Sequence, residues 1–164
     1  MLKPQVLAAL NKQIQHELTA SYTYLGLSVF FEQEVLKGFA AYFRKQAEEE
    51  RGHAMKILGY VEDSNAKAEL AAIPAAKASF KSPLDALKAA RDFEKDTTAS
   101  IIAVYAVAVK ENDLATQNML QWFIKEQVEE EKWTEEFVAT GEKLGTHTGA
   151  WYMFDHHVSK LVEK

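Results

Sequence analysis

Six residues of this chain have the types and spacing needed to hold a pair of metal ions: Glu17, Glu50, His53, Glu94, Gln127 and Glu130. They form two sets, with Glu17 matched by Glu94, Glu50 by Gln127 and His53 by Glu130, each 77 positions on. In each set a lone carboxylate precedes a pair spaced i, i+3, and on a helix such a pair shares one face and can grip one ion. Glu17 and His53 are equidistant from residue 35, and Glu94 and Glu130 from residue 112. A chain that turns at those two points sets each pair level on neighbouring antiparallel helices. Turn signals do occur there, at Glu34 to Gly38 and at Asn112–Asp113.

Burying a carboxylate without a partner costs several kcal/mol, and close like charges add to the cost. No Lys or Arg falls in the same stripes near that level, so two divalent cations are the counter-charge that balances four glutamates. An oxygen and nitrogen ligand set suits iron or manganese, with zinc a competitor. His53 taken alone reads as an ordinary core histidine; three residues after Glu50 it completes the set. Gln127 reads either as a weak ligand or as a hydrogen-bond donor to a metal-bound oxygen species. Tyr24, two turns beyond Glu17, is either a core aromatic or a redox-active or hydrogen-bonding neighbour. Glu49 and Glu126, again 77 apart, flank the first tier with Glu129, and with Glu130 they could form a third, weaker cation site.

Long helices must position these residues. With seven glycines and three prolines the chain can run uninterrupted, and its apolar spacing of 3 and 4 predicts an all-α protein. The first helix is expected from Pro4, with Leu10, Ile14, Glu17, Ser21 and Tyr24 inward. The second runs past Gly38 with Phe39, Phe43, Gln46, Glu50, His53, Ile57 and Tyr60 inward. The third starts at the cap-like Ser82–Pro83 and turns in Leu87, Glu94, Ile101, Tyr105 and Ala108. The fourth turns in Leu120, Phe123, Gln127, Glu130, Thr134 and Phe137, ending near Gly141 or Gly145. Between the second and third, Asp63 to Ser82 reads as a connector able to span ~60 Å, enough to return along a helix of roughly 42 Å. That makes the second and third helices parallel, in a four-helix bundle with one long crossover. A short fifth helix, Trp151 to Val162, follows a hinge from Gly145 to Gly149 and is too short to stand alone. One domain is expected, residues 1–145 as the bundle and 146–164 as a segment packed on it.

Composition removes several function classes. The 164 residues, 48% hydrophobic, suffice for one core. Ile101 to Val109, the longest apolar run, is too short to cross a bilayer, and the N-terminus lacks a secretory pattern. The expectation is a cytoplasmic protein with no membrane partner. The absence of cysteine excludes thiolate ligands and disulfides, and a net charge of −5 argues against nucleic-acid binding. The apolar helix around Ile101 to Val109, Leu70 and Ile73 in the connector, and Trp151, Met153 and Phe154 in the tail offer surface for association into a closed oligomer.

With these motifs in view the chain resembles the bacterial non-haem ferritins. The likeness lies in N-K-Q-I-Q-H-E-L-T-A-S-Y-T-Y-L from Asn11, E-E-E-R-G-H from Glu48 to His53, Glu94, and Q-W-F-I-K-E-Q-V-E-E-E from Gln121 to Glu131. The resemblance implies ferroxidase ligands at Glu17, Glu50, His53, Glu94, Gln127 and Glu130 with Tyr24 nearby, Glu50 bridging two irons, and a third iron site at Glu49, Glu126, Glu129 and Glu130. It also implies Fe(II) oxidation by dioxygen or hydrogen peroxide and storage of ferric mineral in a shell of twenty-four subunits. Haem is not expected, because Gln127, Glu130 and Arg51 stand where haem-binding bacterioferritins usually carry a second Glu-x-x-His and a methionine. The competing readings are a non-storage di-iron oxidase or peroxidase and a metal-free structural bundle. His156 and His157 read as a solvated pair, with a pore-lining role as the alternative.

Overall fold

A computed structural model describes residues 2–163, and among the described residues the regular structure is helical throughout. The helices are α1 (Pro4–Gln33), α2 (Lys37–Asp63), α3 (Pro83–Lys110), α4 (Leu114–Leu144) and α5 (Thr148–Val162). Their boundaries follow local chemistry. Pro4 and Pro83 sit in first turns, where a missing N–H costs nothing. Ser82 Oγ accepts from Asp85 N at 3.1 Å, and Asp113 Oδ1 accepts from Thr116 N at 3.0 Å, so α3 and α4 each begin on a side-chain cap. The α4 helix stops at Gly145, whose φ of 55° glycine adopts without steric cost.

The two tight turns fall where the ligand spacing places them. Val35 (φ 61°) and Asn112 (φ 55°) are left-handed residues at the α1–α2 and α3–α4 reversals. Asparagine is a common choice there, whereas a β-branched valine is not and carries a strain of ~1–2 kcal/mol.

Helix directions can be read from side-chain bonds. Ser21 Oγ donates to Ala47 O and Ser28 Oγ to Ala40 O, so α2 runs antiparallel to α1. Ser100 bonds Gln13 and Thr97 bonds His16, so α3 is antiparallel to α1 as well. Therefore α2 and α3 are parallel, the outcome that a long crossover demands. Lys88–Glu142 and Lys95–Glu135 ion pairs set α4 antiparallel to α3. The connector climbs alongside α1: Glu69 N donates to Asn11 Oδ1, Gln15 Nε2 donates to Ala72 O, and Lys77 O lies where a Cβ on Gly26 would stand 2.5 Å away. No larger residue fits at position 26 without moving the connector.

Two hydrophobic clusters fill the bundle, and the candidate site lies between them. One is aliphatic and includes Val6, Leu10, Ile14, Ile57, Ile101 and Leu120. The other is aromatic and includes Tyr24, Phe31, Phe39, Phe43, Phe137 and Trp151. Along each of the four long helices the chain leaves one cluster and enters the other, and a glutamate marks each crossing. Ser21, Tyr60 and Tyr105 are half-buried; the other residues expected to face inward are buried.

The tail corrects one expectation. It starts at Thr148, three residues before Trp151, and Trp151 and Phe154 are buried against Phe39 and Phe137 of the same chain, so they are not association surface. Met153 is 77% exposed and remains available. The α5 backbone comes so close that a Cβ on Gly38 would meet Asp155 O at 2.1 Å, and Asp155 Oδ1 accepts from Phe39 N at 2.8 Å. The N-terminus of α2, which lacks a cap of its own, is thus capped by α5.

Candidate metal centre

Glu17 of α1, Glu50 and His53 of α2, Glu94 of α3, and Gln127 and Glu130 of α4 are all buried at one level of the bundle. Ligand atoms of Glu17, Glu50 and His53 lie within 4.8 Å of one another, and so do those of Glu50, Glu94 and Glu130. Glu50 belongs to both groups. His53 Nδ1 is 3.2 Å from Glu50 Oε2 and 4.0 Å from Glu17 Oε2.

The electrostatics are those of a site built for cations. Burial pushes the carboxyl of Glu17 well above the usual range, and Glu50 beside it adds to the rise. Burial and then Glu94 do the same to Glu50, while Glu94 is raised chiefly by burial. Glu130 is raised to about 7, again by burial and then by Glu94. Without cations, burial and mutual repulsion therefore make ionisation of these groups costly. Glu17 Oε2 and Glu50 Oε1 are buried without any hydrogen-bond partner. Native proteins rarely leave such atoms orphaned. A divalent ion among oxygen donors and one imidazole would satisfy both, so the residues present fit the ligand set that iron takes.

Both oxygens of Glu94 are already engaged. Tyr24 donates its hydroxyl proton to Glu94 Oε1, and Gln127 Nε2 donates to Glu94 Oε2 at 2.9 Å. Gln127 thus holds a carboxylate, a role different from both the weak ligand and the donor to a metal-bound oxygen species expected of it. Tyr24 is fully buried, stacks on Phe43, and its own ionisation is driven well upward by burial and by Glu94.

Sequence reasoning passed over two donors. Gln13 Nε2 donates to Glu17 Oε1 at 2.7 Å, and Trp133 Nε1 donates to Glu130 Oε2. The signal was available, since Gln13 stands four residues before Glu17 and Trp133 three after Glu130, both on the ligand's own helix face.

The second tier is looser. Close backbone approach joins α1 to α2 and α3 to α4, but none joins α2 to α4. Those two meet through long side chains: Tyr42 against Trp133, His53 against Trp122, and Tyr60 Oη at 2.8 Å from Thr116 Oγ1. The wider gap opens a pocket of about 930 Å³ lined by His53, Glu130, Glu49, Glu126 and Glu129, with Lys45, Lys56 and Trp122 also on its walls. Glu49 and Glu129 are exposed and Glu126 is half-buried, with Gln46 Nε2 donating to Glu49 Oε2 at 2.5 Å. These three share a pocket with the buried pair of groups without joining either. His156 and His157 are exposed on α5, and His157 lines a separate pocket with Glu136.

Comparison with known proteins places this geometry. A model of the ferritin-like domain matches residues 7–144. The bacterial non-heme ferritin of Staphylococcus aureus (strain USA300) is 36% identical over 155 residues, 94% of this chain and 93% of the relative. That of Staphylococcus haemolyticus is 35% identical over 159 residues, 97% and 96% of the two chains. Among solved structures, an open pore ferritin from the archaeon Archaeoglobus fulgidus superposes with a TM-score of 0.95 at 33% identity, covering 97% of this chain and 98% of that one. With the domain matched over most of its length and these relatives covered nearly end to end, the chain belongs to the ferritin family.

Proposed function

We propose that this protein oxidises Fe(II) at the paired site and stores the ferric product inside a cage of its own subunits. The observation that carries the reading is the two buried ligand groups sharing Glu50, with Glu17 Oε2 and Glu50 Oε1 buried and unpartnered among them. Iron is the substrate. Glu17, Glu50 and His53 receive one Fe(II); Glu50, Glu94 and Glu130 receive the other. Each ion bound compensates the charge of carboxyls whose ionisation burial otherwise disfavours. The two ions each give up one electron, and dioxygen takes two electrons and two protons to become hydrogen peroxide; peroxide can serve as oxidant in place of dioxygen. The protein contributes spacing, charge compensation and coordination positions left open to the oxidant. Tyr24 and Gln127 hold Glu94 while the charge at the site changes.

Glu49, Glu126 and Glu129, with Glu130, provide a third and weaker iron position on the way out through the α2–α4 pocket. Haem has no assigned place in this reading.

Storage requires a cage. The relatives include ferritins, one of them described as an open pore ferritin, and twenty-four subunits is the number we propose. Tyr22, Leu25 and Val29 on α1, Leu70 and Ile73 on the connector, and Ile102 and Val109 on α3 remain exposed in one chain. Those on α1 recur at helical spacing along one face, which is what an association surface needs. No helix of the described residues is long and apolar enough to cross a membrane, and we place the protein in the cytoplasm.

The test is light scattering on the purified protein followed by aerobic addition of Fe(II), with iron counted per particle. The expected result is one large particle that retains far more iron than two or three ions per chain. A monomer or dimer that turns over iron without retaining it would replace storage with a soluble di-iron oxidase.

A further inference from the structure

Gln13 is buried to 0% exposure, yet its amide makes two bonds of opposite sense. Ser100 Oγ of α3 donates to Gln13 Oε1 at 2.6 Å, and Gln13 Nε2 donates to Glu17 Oε1 at 2.7 Å. The carboxylate fixes which way round the amide sits, because a flipped amide would set its carbonyl against it, and Ser100 adds the bond that ties the amide oxygen to α3. Glu17 Oε1 is thereby engaged, and Glu17 Oε2 is left bare, 4.0 Å from His53 Nδ1. Glu94 differs: both of its oxygens carry donors, Tyr24 and Gln127.

We infer that Gln13, held by Ser100, is a positioning residue that makes Glu17 present a single oxygen, Oε2, to the cation held with Glu50 and His53. The inference rests on the proposed paired iron site. The physical content is directional: a carboxylate with one oxygen tied to a neutral donor can ligate through the other at full strength, whereas an untied one can swing or chelate through both. Groups that hold a ligand from outside are worth ~10–100-fold in metal affinity. Gln13 reaches no cation itself, so it acts only through Glu17.

Cobalt(II) is a probe that dioxygen does not consume at this kind of site, and its visible absorption weakens as coordination number rises. Titrations of Co(II) into the whole assembled protein would compare wild type with Gln13→Met, Ser100→Ala, Ser100→Thr and Glu17→Gln. Gln13→Met, nearly isosteric and without a donor, is expected to weaken the tighter of two Co(II) binding steps by roughly 10-fold and to lower its absorption per ion. Ser100→Ala should move both readouts the same way by less, and Ser100→Thr, which keeps a hydroxyl, should restore them. Thermal melts of the metal-free variants separate lost packing from lost positioning. If Gln13→Met destabilises the protein, the Ser100→Ala and Ser100→Thr pair decides the matter. Unchanged affinity and spectrum in Gln13→Met, or in Ser100→Ala where the first variant does not fold, overturns the positioning role while two wild-type Co(II) steps leave the paired site standing. A wild type whose Co(II) binding is unaffected by Glu17→Gln overturns both.

Discussion

The two halves of the metal centre share Glu50 and differ in almost everything else. The Glu17 half contains the one imidazole and the unpartnered Glu17 Oε2, its single outside donor is an amide from its own helix, and the other unpartnered oxygen, Glu50 Oε1, belongs to the shared ligand. The Glu94–Glu130 half has no histidine, and its terminal carboxylates accept from Tyr24, Gln127 and Trp133. Near-repetition in the sequence therefore does not produce two equal ion positions. The first half is short of hydrogen bonds and gains most from a cation. The second is already held by neutral donors, so a cation there replaces less repulsion, and the ion should bind more weakly.

The contrast fails outright if Glu50 is not common to both halves. Glu50→Ala with His53→Ala is expected to remove the fast phase of Fe(II) oxidation in stopped flow, a loss beyond ~100-fold, since changing outer donors alone costs ~10–100-fold. The metal-free fold should persist and gain stability, because the buried like charges are gone. Wild-type rates in the double variant would remove the site assignment.

A smaller effect sharpens the comparison through pH. The Glu130 carboxyl is raised to about 7 in the folded protein from 4.5. A raised carboxyl favours the folded state below 4.5, and that contribution is lost as pH rises towards 7. Metal-free protein should accordingly lose stability across that interval, while bound divalent ions remove the loss. Glu130→Gln keeps an acceptor for Trp133 and cannot ionise, so it should stabilise the metal-free protein by ~1–3 kcal/mol at pH 8 and by little at pH 4.5. Denaturant melts at the two pH values would show it, and equal gains at both would mean that Glu130 is not buried as a charge.

The smallest expected change lies outside both halves. Glu49→Gln or Glu126→Gln should alter the ratio of iron oxidised to oxygen consumed while leaving the initial rate within about two-fold, since neither carboxylate belongs to the two buried ligand groups and solvent screens both. Loss of the fast phase in either variant would merge the two tiers into one.

Much of this centre was legible in the chain because it rests on local geometry. A helix repeats every 3.6 residues, so Glu50 with His53 and Gln127 with Glu130 share faces wherever those helices are placed. Antiparallel helices joined by a tight turn set residues equidistant from the turn side by side, which is why 35 and 112 marked Val35 and Asn112 before any coordinates did. The connector's length alone forced α2 and α3 to be parallel. The tail was misjudged for the complementary reason. Trp151 and Phe154 look like free apolar surface until Gly141 is seen to leave room for the Trp151 ring and Gly38 for the α5 backbone at Asp155, and nothing in the linear pattern aligns residues that far apart.

The sequence by itself determined the helices, the two reversals and the crossover and picked out the candidate ligands, because each depends on neighbours within a few turns or on chain length. Only the tertiary structure decided which oxygen of each carboxylate is bound and which is bare. Ser100 reaching Gln13, Tyr24 reaching Glu94 and Asp155 reaching Phe39 all depend on how far each helix is rotated and shifted against the next. Those rotations are set by packing of the whole core, where a shift of an ångström or two makes or breaks a bond whose useful range spans about half an ångström.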